Sequence, residues 1–131
     1  MKPIEIVDED KVFSLSEARE IFPLIKNITQ SHYEALVPIQ QKLDRMLSND
    51  PRRVKIEREF QCEVDAWRGK ITRLGLRAAN LWEVELKVGS EGALNWRHPE
   101  LELSYFRPSG QQLRRKLADY IEENDPDWAL L

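Results

Sequence analysis

The chain has a single cysteine, Cys62, so it cannot close a disulfide within itself. A reducing, cytosolic compartment is the expected setting. Long apolar runs are missing too. Nothing approaches the ~20 apolar residues of a membrane span, and the opening MKPIEIVDEDK lacks the apolar stretch of a signal peptide, so no membrane association is expected. An excess of one charge is also lacking. Twenty Lys and Arg against 23 Asp and Glu leave a net charge of −3. A dedicated nucleic-acid binder carries a basic excess or stripe, so nucleic acid is not an expected partner. The pair Arg52-Arg53 and the run Arg114-Arg115-Lys116 are each followed closely by acidic residues and read as solvated helix faces. His32, His98 and Cys62 show none of the HxxxH or CxxC spacings of a metal site, and neither metal nor cofactor is expected. Cys62 lies in a helical pattern with no histidine near it, and reads as a small, partly buried side chain rather than a nucleophile.

What is present suits one domain. A chain of 131 residues buries about two-thirds of its unfolded surface, enough for an ordinary core. With 41% hydrophobic and 33% charged residues, that core would sit under a well-solvated surface. Residues 1–12 read as a leader whose Ile4 and Ile6 add an edge strand. Phe13-Ser14-Leu15-Ser16-Glu17-Ala18 then spells a helix start: Ser14 as N-cap, Glu17 closing a capping box, Phe13 and Ala18 forming a hydrophobic staple. A heptad follows through Leu15, Ala18, Phe22, Ile25, Thr29, His32, Leu36, Ile39, Leu43 and Met46, the spacing of a long helix packed on another helix. Pro23 and Pro38 fall off this seam and bend the helix rather than end it. Asn49-Asp50-Pro51 makes a turn. A second helix carries Phe60, Val64, Trp67, Ile71 and Leu74 and stops at Gly75, where a left-handed cap belongs. Residues 13–75 therefore read as an antiparallel helical hairpin.

Residues 81–106 read as a three-stranded antiparallel meander. Trp82, Val84, Leu86 and Val88 alternate with Glu83, Glu85 and Lys87 across its two faces. A loop Ser90-Glu91-Gly92 would pair Val88 with Leu94 and Leu86 with Trp96. A second loop, Arg97–Glu100, would pair Trp96 with Leu101 and Leu94 with Leu103, and both hairpins then agree on the apolar face. Ser109-Gly110-Gln111-Gln112 reads as another capping box opening a helix over 111–123, with Leu113, Leu117, Tyr120 and Ile121 on one side. The apolar tail 128–131 closes the chain. The expected fold is α+β: a long helical hairpin packed on the meander, with a C-terminal helix.

These motifs, in this order, resemble a bacterial family of uncharacterised proteins, domain-of-unknown-function family 2203. Its members open with a phenylalanine-led helix start and an early proline, similar to Phe13–Ala18 and Pro23. A second helix ending in leucine-glycine is similar to Leu74-Gly75. The strand that follows is similar to Trp82–Leu86, and a tryptophan–basic pair with a glutamate is similar to Trp96-Arg97 and Glu100. The resemblance covers about residues 13–107 and implies the same fold. Where the family carries a histidine after its last strand this chain has Arg107, and the family's glycine-arginine tail is replaced by a capped helix. The family lends no function.

Candidate chemistry lies on the polar face of the meander. The register just given lines up Glu85, Arg97 and Glu100 across three strands, with carboxylates roughly 10 Å apart at a strand spacing of ~4.8 Å. As a surface ion-pair ladder the row is worth under ~1 kcal/mol per pair. As a site it would bind an anion or carboxylate, with Arg97 as bidentate donor and Arg107 nearby. The spacing also admits an acid–base carboxylate pair, although nothing else in the chain supports one. His98, in the turn before Pro99, reads as a bystander that would make a metal site only together with Glu85 and Glu100. His32 and Thr29 form a buried polar pair that fixes helix register. Trp67, Trp82 and Trp96 read as core.

Helix length bears on assembly. A helix from Leu15 to Ser48 runs about 50 Å, against a radius of gyration near 14 Å for a compact domain of this size. Part of its seam must overhang. Leu36, Ile39, Leu43 and Met46 are therefore candidate interface residues, joined by Trp128, Leu130 and Leu131 if the tail does not dock on its own domain. The leading reading is a non-catalytic protein-interaction or assembly module that forms a homodimer through its long helices. The alternatives are a small enzyme or anion- or metal-binding domain using the sheet, and an RNA- or ribosome-associated protein.

Overall fold

The computed structural model describes residues 11–130, so the edge strand expected at Ile4 and Ile6, and Leu131, lie outside the described residues. The hairpin consists of α1 (Leu15–Arg45) and α2 (Arg53–Arg73). The Ser14 hydroxyl accepts the Glu17 N–H at 3.1 Å, and the Glu17 carboxylate accepts the Ser14 N–H at 3.0 Å. Phe13 and Ala18 are buried beside this box, where a staple places them. Pro23 and Pro38 sit inside α1 without ending it. Seam residues from Leu15 to Leu36, with Leu43, are buried; Ile39 is half-buried, and Met46 is the C-cap. Helix α2 ends as Leu74-Gly75 predicts. Gly75 takes a φ of 87°, its N–H bonds the Thr72 carbonyl, and the Leu76 N–H bonds that of Ile71, the paired bonds of a Schellman cap. Cys62 is exposed on α2, a correction to its expected partial burial: it faces away from the Val64–Trp67–Ile71 stripe.

The sheet has five antiparallel strands in sequential order, not three. They are β1 (Arg77–Asn80), β2 (Glu83–Val88), β3 (Gly92–Arg97), β4 (Tyr105–Pro108) and β5 (Arg115–Lys116). The two additional strands are short edges. RAAN carries no large apolar alternation and a two-residue strand has no period, so neither leaves a pattern to read. In the first hairpin Leu86 faces Leu94 and Val84 faces Trp96, two residues away from the expected pairing. An even shift keeps every side chain on its face. The loop is Gly89-Ser90-Glu91, with Gly89 at φ 55°. In the second hairpin Leu94 faces Phe106 rather than Leu103. That shift is odd, so it reverses the faces of the third strand and leaves Leu101 81% exposed in a loop. Phe106 prevails because it stacks on Tyr120 and Trp128, with ring centroids 4.0 and 5.4 Å away, which a leucine would not do.

The C-terminal helix α3 (Leu117–Asn124) starts six residues later than the expected 111. Its N-cap, Lys116, makes no side-chain bond, so the Ser109–Gln112 capping box does not form. Arg114 and Arg115 are drawn instead onto the sheet, and Leu113 is exposed. The tail docks on its own domain: Trp128 is buried, and its indole N–H donates to the Glu91 carboxylate. Leu130 remains exposed. Among the described residues no helix is long and apolar enough to cross a membrane.

The core joins Phe22 and Ile25 of α1, Trp67 and Ile71 of α2, and Val84, Leu86, Val88, Leu94, Trp96 and Phe106 of the sheet. It stops there. Leu36, Leu43 and Val64 are buried but lie outside this cluster. The polar seam residues mark the border. Instead of pairing with each other, each bonds α2: the Trp67 indole donates to the Thr29 hydroxyl at 2.9 Å, and His32 Nδ1 meets the Glu63 carboxylate. Buried His32 Nε2 has no partner among the described residues. Glu63→Ala leaves both ring nitrogens unmatched and is expected to cost about 1–3 kcal/mol in urea denaturation. The double variant His32→Leu/Glu63→Leu removes both polar partners and is expected within about 1 kcal/mol of the parent. Equal losses in the two variants would show that the pairing does not matter.

Candidate functional site

The register of the first hairpin decides what the polar face holds. It sets Glu83 opposite Arg97 and Glu85 opposite Asn95, so the row Glu85–Arg97–Glu100 is not formed. A buried network takes its place, with Asn95 at the centre, only 1% exposed. The Asn95 amide donates to Glu83 Oε2 at 2.8 Å and to Glu85 Oε2 at 2.9 Å, and its carbonyl accepts Arg114 Nη1 at 3.2 Å. Glu83 also accepts Asn80 Nδ2 at 2.8 Å and Arg97 Nε at 3.1 Å. Glu85 is gripped by the Arg107 fork, at 2.5 Å from Nε and 2.8 Å from Nη2, with Arg77 Nη1 at 3.5 Å. Glu100 stands in the loop after β3. It accepts the Arg97 backbone N–H at 2.9 Å and both terminal nitrogens of Arg114, at 2.9 and 2.5 Å. The Arg114 guanidinium lies 3.8 Å over the Tyr105 ring.

The electrostatics follow from these partners. Burial pushes the Glu85 carboxyl up, but Arg107, Asn95 and Arg77 outweigh it and hold the group below its ordinary value. Glu83 balances burial against Asn80, Asn95 and Arg97, and Glu100 balances it against Arg114 and the Arg97 N–H, both with the same outcome. All three stay ionised at neutral pH, and none is set up as a general acid. Arg107 is raised, first by its bonds to Glu85.

Of the residues read from sequence, Glu85 and Arg107 come together, and Arg97 and Glu100 meet through the Arg97 backbone. His98 stands apart. Its Nε2 lies 2.7 Å from Gln30 Oε1 of α1, its ring packs 4.5 Å from Tyr33, and burial pushes its pKa down. No metal-binding group of three His, Cys, Asp or Glu occurs among the described residues. Glu83 and Asn95 fall outside the expected row because the two-residue slip sets Glu83, not Glu85, opposite Arg97, whereas nothing local in the sequence indicates that Arg114 reaches Glu100. The basic clusters are also engaged: Arg52 pairs with Asp50, Arg53 with Glu57, and Arg115 with Glu123.

A second surface lies where the core ends. Tyr33, Leu36, Val37, Gln40 and Gln41 of α1, Phe60 of α2, and Leu81 and Trp82 of the β1–β2 turn line a groove of about 280 Å³. None of the eight is charged, in a chain one-third charged. Trp82 is a bulky residue at φ 61°, a left-handed conformation that costs roughly 1–2 kcal/mol. Its ring is held against Trp67 and Tyr33, at centroid distances of 5.0 and 5.9 Å. Such strain persists where surrounding packing imposes it, and it clusters at functional surfaces. Of the expected interface residues, Leu36 lines this groove, Leu43 is buried, Ile39 lines a separate opening with Cys62, and Trp128 is in the core.

No protein-family model matches the chain, and neither a curated protein nor a solved structure matches it.

Proposed function

We propose that this chain is a non-catalytic assembly module that self-associates through the distal half of its helical hairpin. The uncharged groove beyond the end of the core carries this reading. Helix α1 is about 46 Å long at 31 residues, and past Ile28 none of its residues joins the main core, with Gln30 and Tyr33 touching the edge of the sheet at His98 and Trp82. A two-helix hairpin buries only its facing seam, and a second hairpin laid across it completes a four-helix bundle. A second copy suits the groove chemically. An isologous contact sets the same patch against itself, residue i meeting j and j meeting i, and an uncharged patch does so without like-charge repulsion. Gln40 and Gln41 carry both donors and acceptors, so their amides match a copy of themselves. The sheet supports the non-catalytic part of the reading, because its carboxylates are ionised and fully partnered.

The contact is small, so the dimer is expected to dissociate in the micromolar range. Sedimentation velocity of the full chain from about 1 to 100 μM is expected to show a monomer–dimer equilibrium. Val37→Glu and Leu81→Glu are each expected to hold the chain monomeric, at least tenfold weaker in association, with the circular dichroism spectrum unchanged. A parent chain that stays monomeric at 100 μM, or association untouched by both variants, would overturn the reading.

A further inference from the structure

We propose that the polar face of the sheet holds a binding site for a small dianion of the phosphate class, at the end where β2, β3 and β4 present Lys87, Ala93 and Arg107. The proposal is independent of self-association. An opening of about 190 Å³ lies there, walled by Arg77 and Lys87 on one side and Arg107 and Ser109 on the other, with Ser90 at the loop. Its floor is Ala93, which faces Lys87 across one strand pair and Arg107 across the next. A larger side chain at 93 would fill the space between the two cations, and Gly92 beside it adds no side chain.

The charge in this opening is unbalanced. Its one carboxylate, Glu85, has Oε1 covered by Arg107 and Arg77 and Oε2 covered by Arg107 and Asn95. Against the cations of Arg77, Lys87 and Arg107 this leaves two positive charges. A dianion matches that excess and a monocarboxylate does not. Donors are also in surplus. Arg107 spends Nε and Nη2 on Glu85 and one Nη1 hydrogen on the Gln111 carbonyl at 2.9 Å, which leaves one hydrogen on each terminal nitrogen. Arg77 has only its long contact to Glu85. The Lys87 ammonium makes no hydrogen bond or ion pair among the described residues, and the Ser90 and Ser109 hydroxyls add two more donors without a partner there. An oxyanion with three or four acceptor oxygens uses such a set, with a guanidinium edge pre-set by Glu85 and a lysine point charge opposite it. Arg107 here is a ligand-binding residue, and Glu85 positions it.

The test is an amide NMR titration of the full chain at pH 7.5 and constant ionic strength. The probes are inorganic phosphate, glycerol 2-phosphate and acetate. The expected result is saturable shifts at Lys87, Ala93 and Ser109 with phosphate, and no saturation with acetate. Lys87→Gln is expected to weaken phosphate at least tenfold and leave the melting temperature unchanged, because that ammonium bonds no other described side chain. Glycerol 2-phosphate binding at least as tightly as phosphate assigns the site to a phosphomonoester, and phosphate alone assigns it to the free ion. Linear shifts, acetate saturating alike, or phosphate binding unaffected by Lys87→Gln would overturn the proposal.

Discussion

Glu85→Ala is expected to cost about 3 kcal/mol and to lower the thermal midpoint by roughly 10 °C. Glu85 is 3% exposed and faces two guanidiniums and the Asn95 amide. Removing it leaves the Arg107 fork and one Asn95 hydrogen without their acceptor. Breaking a buried pair costs about 3–5 kcal/mol, and the lower end applies because the Arg107 side chain is 23% exposed and water partly replaces the lost partner. Arg77, at 59% exposure, simply returns to solvent. The same network sets the acid response. Glu83, Glu85 and Glu100 are all lowered in the folded state. Their contribution is therefore fully present above the unfolded glutamate value of about 4.3, and it is lost as pH falls through the lower folded values. These carboxylates leave the melting temperature flat from pH 7 to about 5 and lower it below that, while His98, held below its ordinary value by burial, adds a loss that begins as pH falls through the unfolded histidine value of about 6.5. Glu85→Gln keeps the shape but does not titrate, so its acid slope should be shallower than the parent's. Melting curves across this pH range decide the matter, and an unchanged slope would mean that Glu85 does not carry the acid response.

Gly92→Ala is expected to be at least as damaging, at about 3 kcal/mol or more. A Cβ at Gly92 would lie 2.3 Å from the Arg107 carbonyl oxygen, 2.8 Å from Phe106 Cζ and 3.0 Å from Pro108 Cα. Two of these atoms are backbone, so relief requires β4 to move away from β3. Ordinary overpacking costs about 1–3 kcal/mol because side chains yield; here the strand itself must shift. Gly92 pairs with Pro108 and Ala93 with Arg107, so the displacement would also carry Phe106 off Tyr120 and Trp128 and open the phosphate-class site. Urea denaturation followed by tryptophan fluorescence should show both the lost stability and a more exposed Trp128. A Gly92→Ala chain as stable as the parent would mean that β3 and β4 do not approach this closely.

The fates of individual residues separate local from tertiary information. The capping box at Ser14 and Glu17, the seam from Leu15 to Leu43 and the Gly75 cap were all legible, because each is fixed by residues within one or two helical turns. The faces of β2 and β3 were legible for a similar reason: alternation survives a two-residue slip, so Val84, Leu86, Leu94 and Trp96 point inward in either register. The pairings themselves were not. Leu103 and Phe106 offer similar local patterns, and the choice between them rests on Tyr120 and Trp128, more than ten residues downstream. That choice turned the third strand over, freed Leu101, and placed Tyr105 beneath Arg114. The site moved with it. By itself the sequence determined a helical hairpin, an apolar-faced sheet and a polar face rich in Glu and Arg. Only the tertiary structure decided which carboxylate meets which guanidinium and where the core stops along α1, because those depend on contacts between elements that no local period encodes.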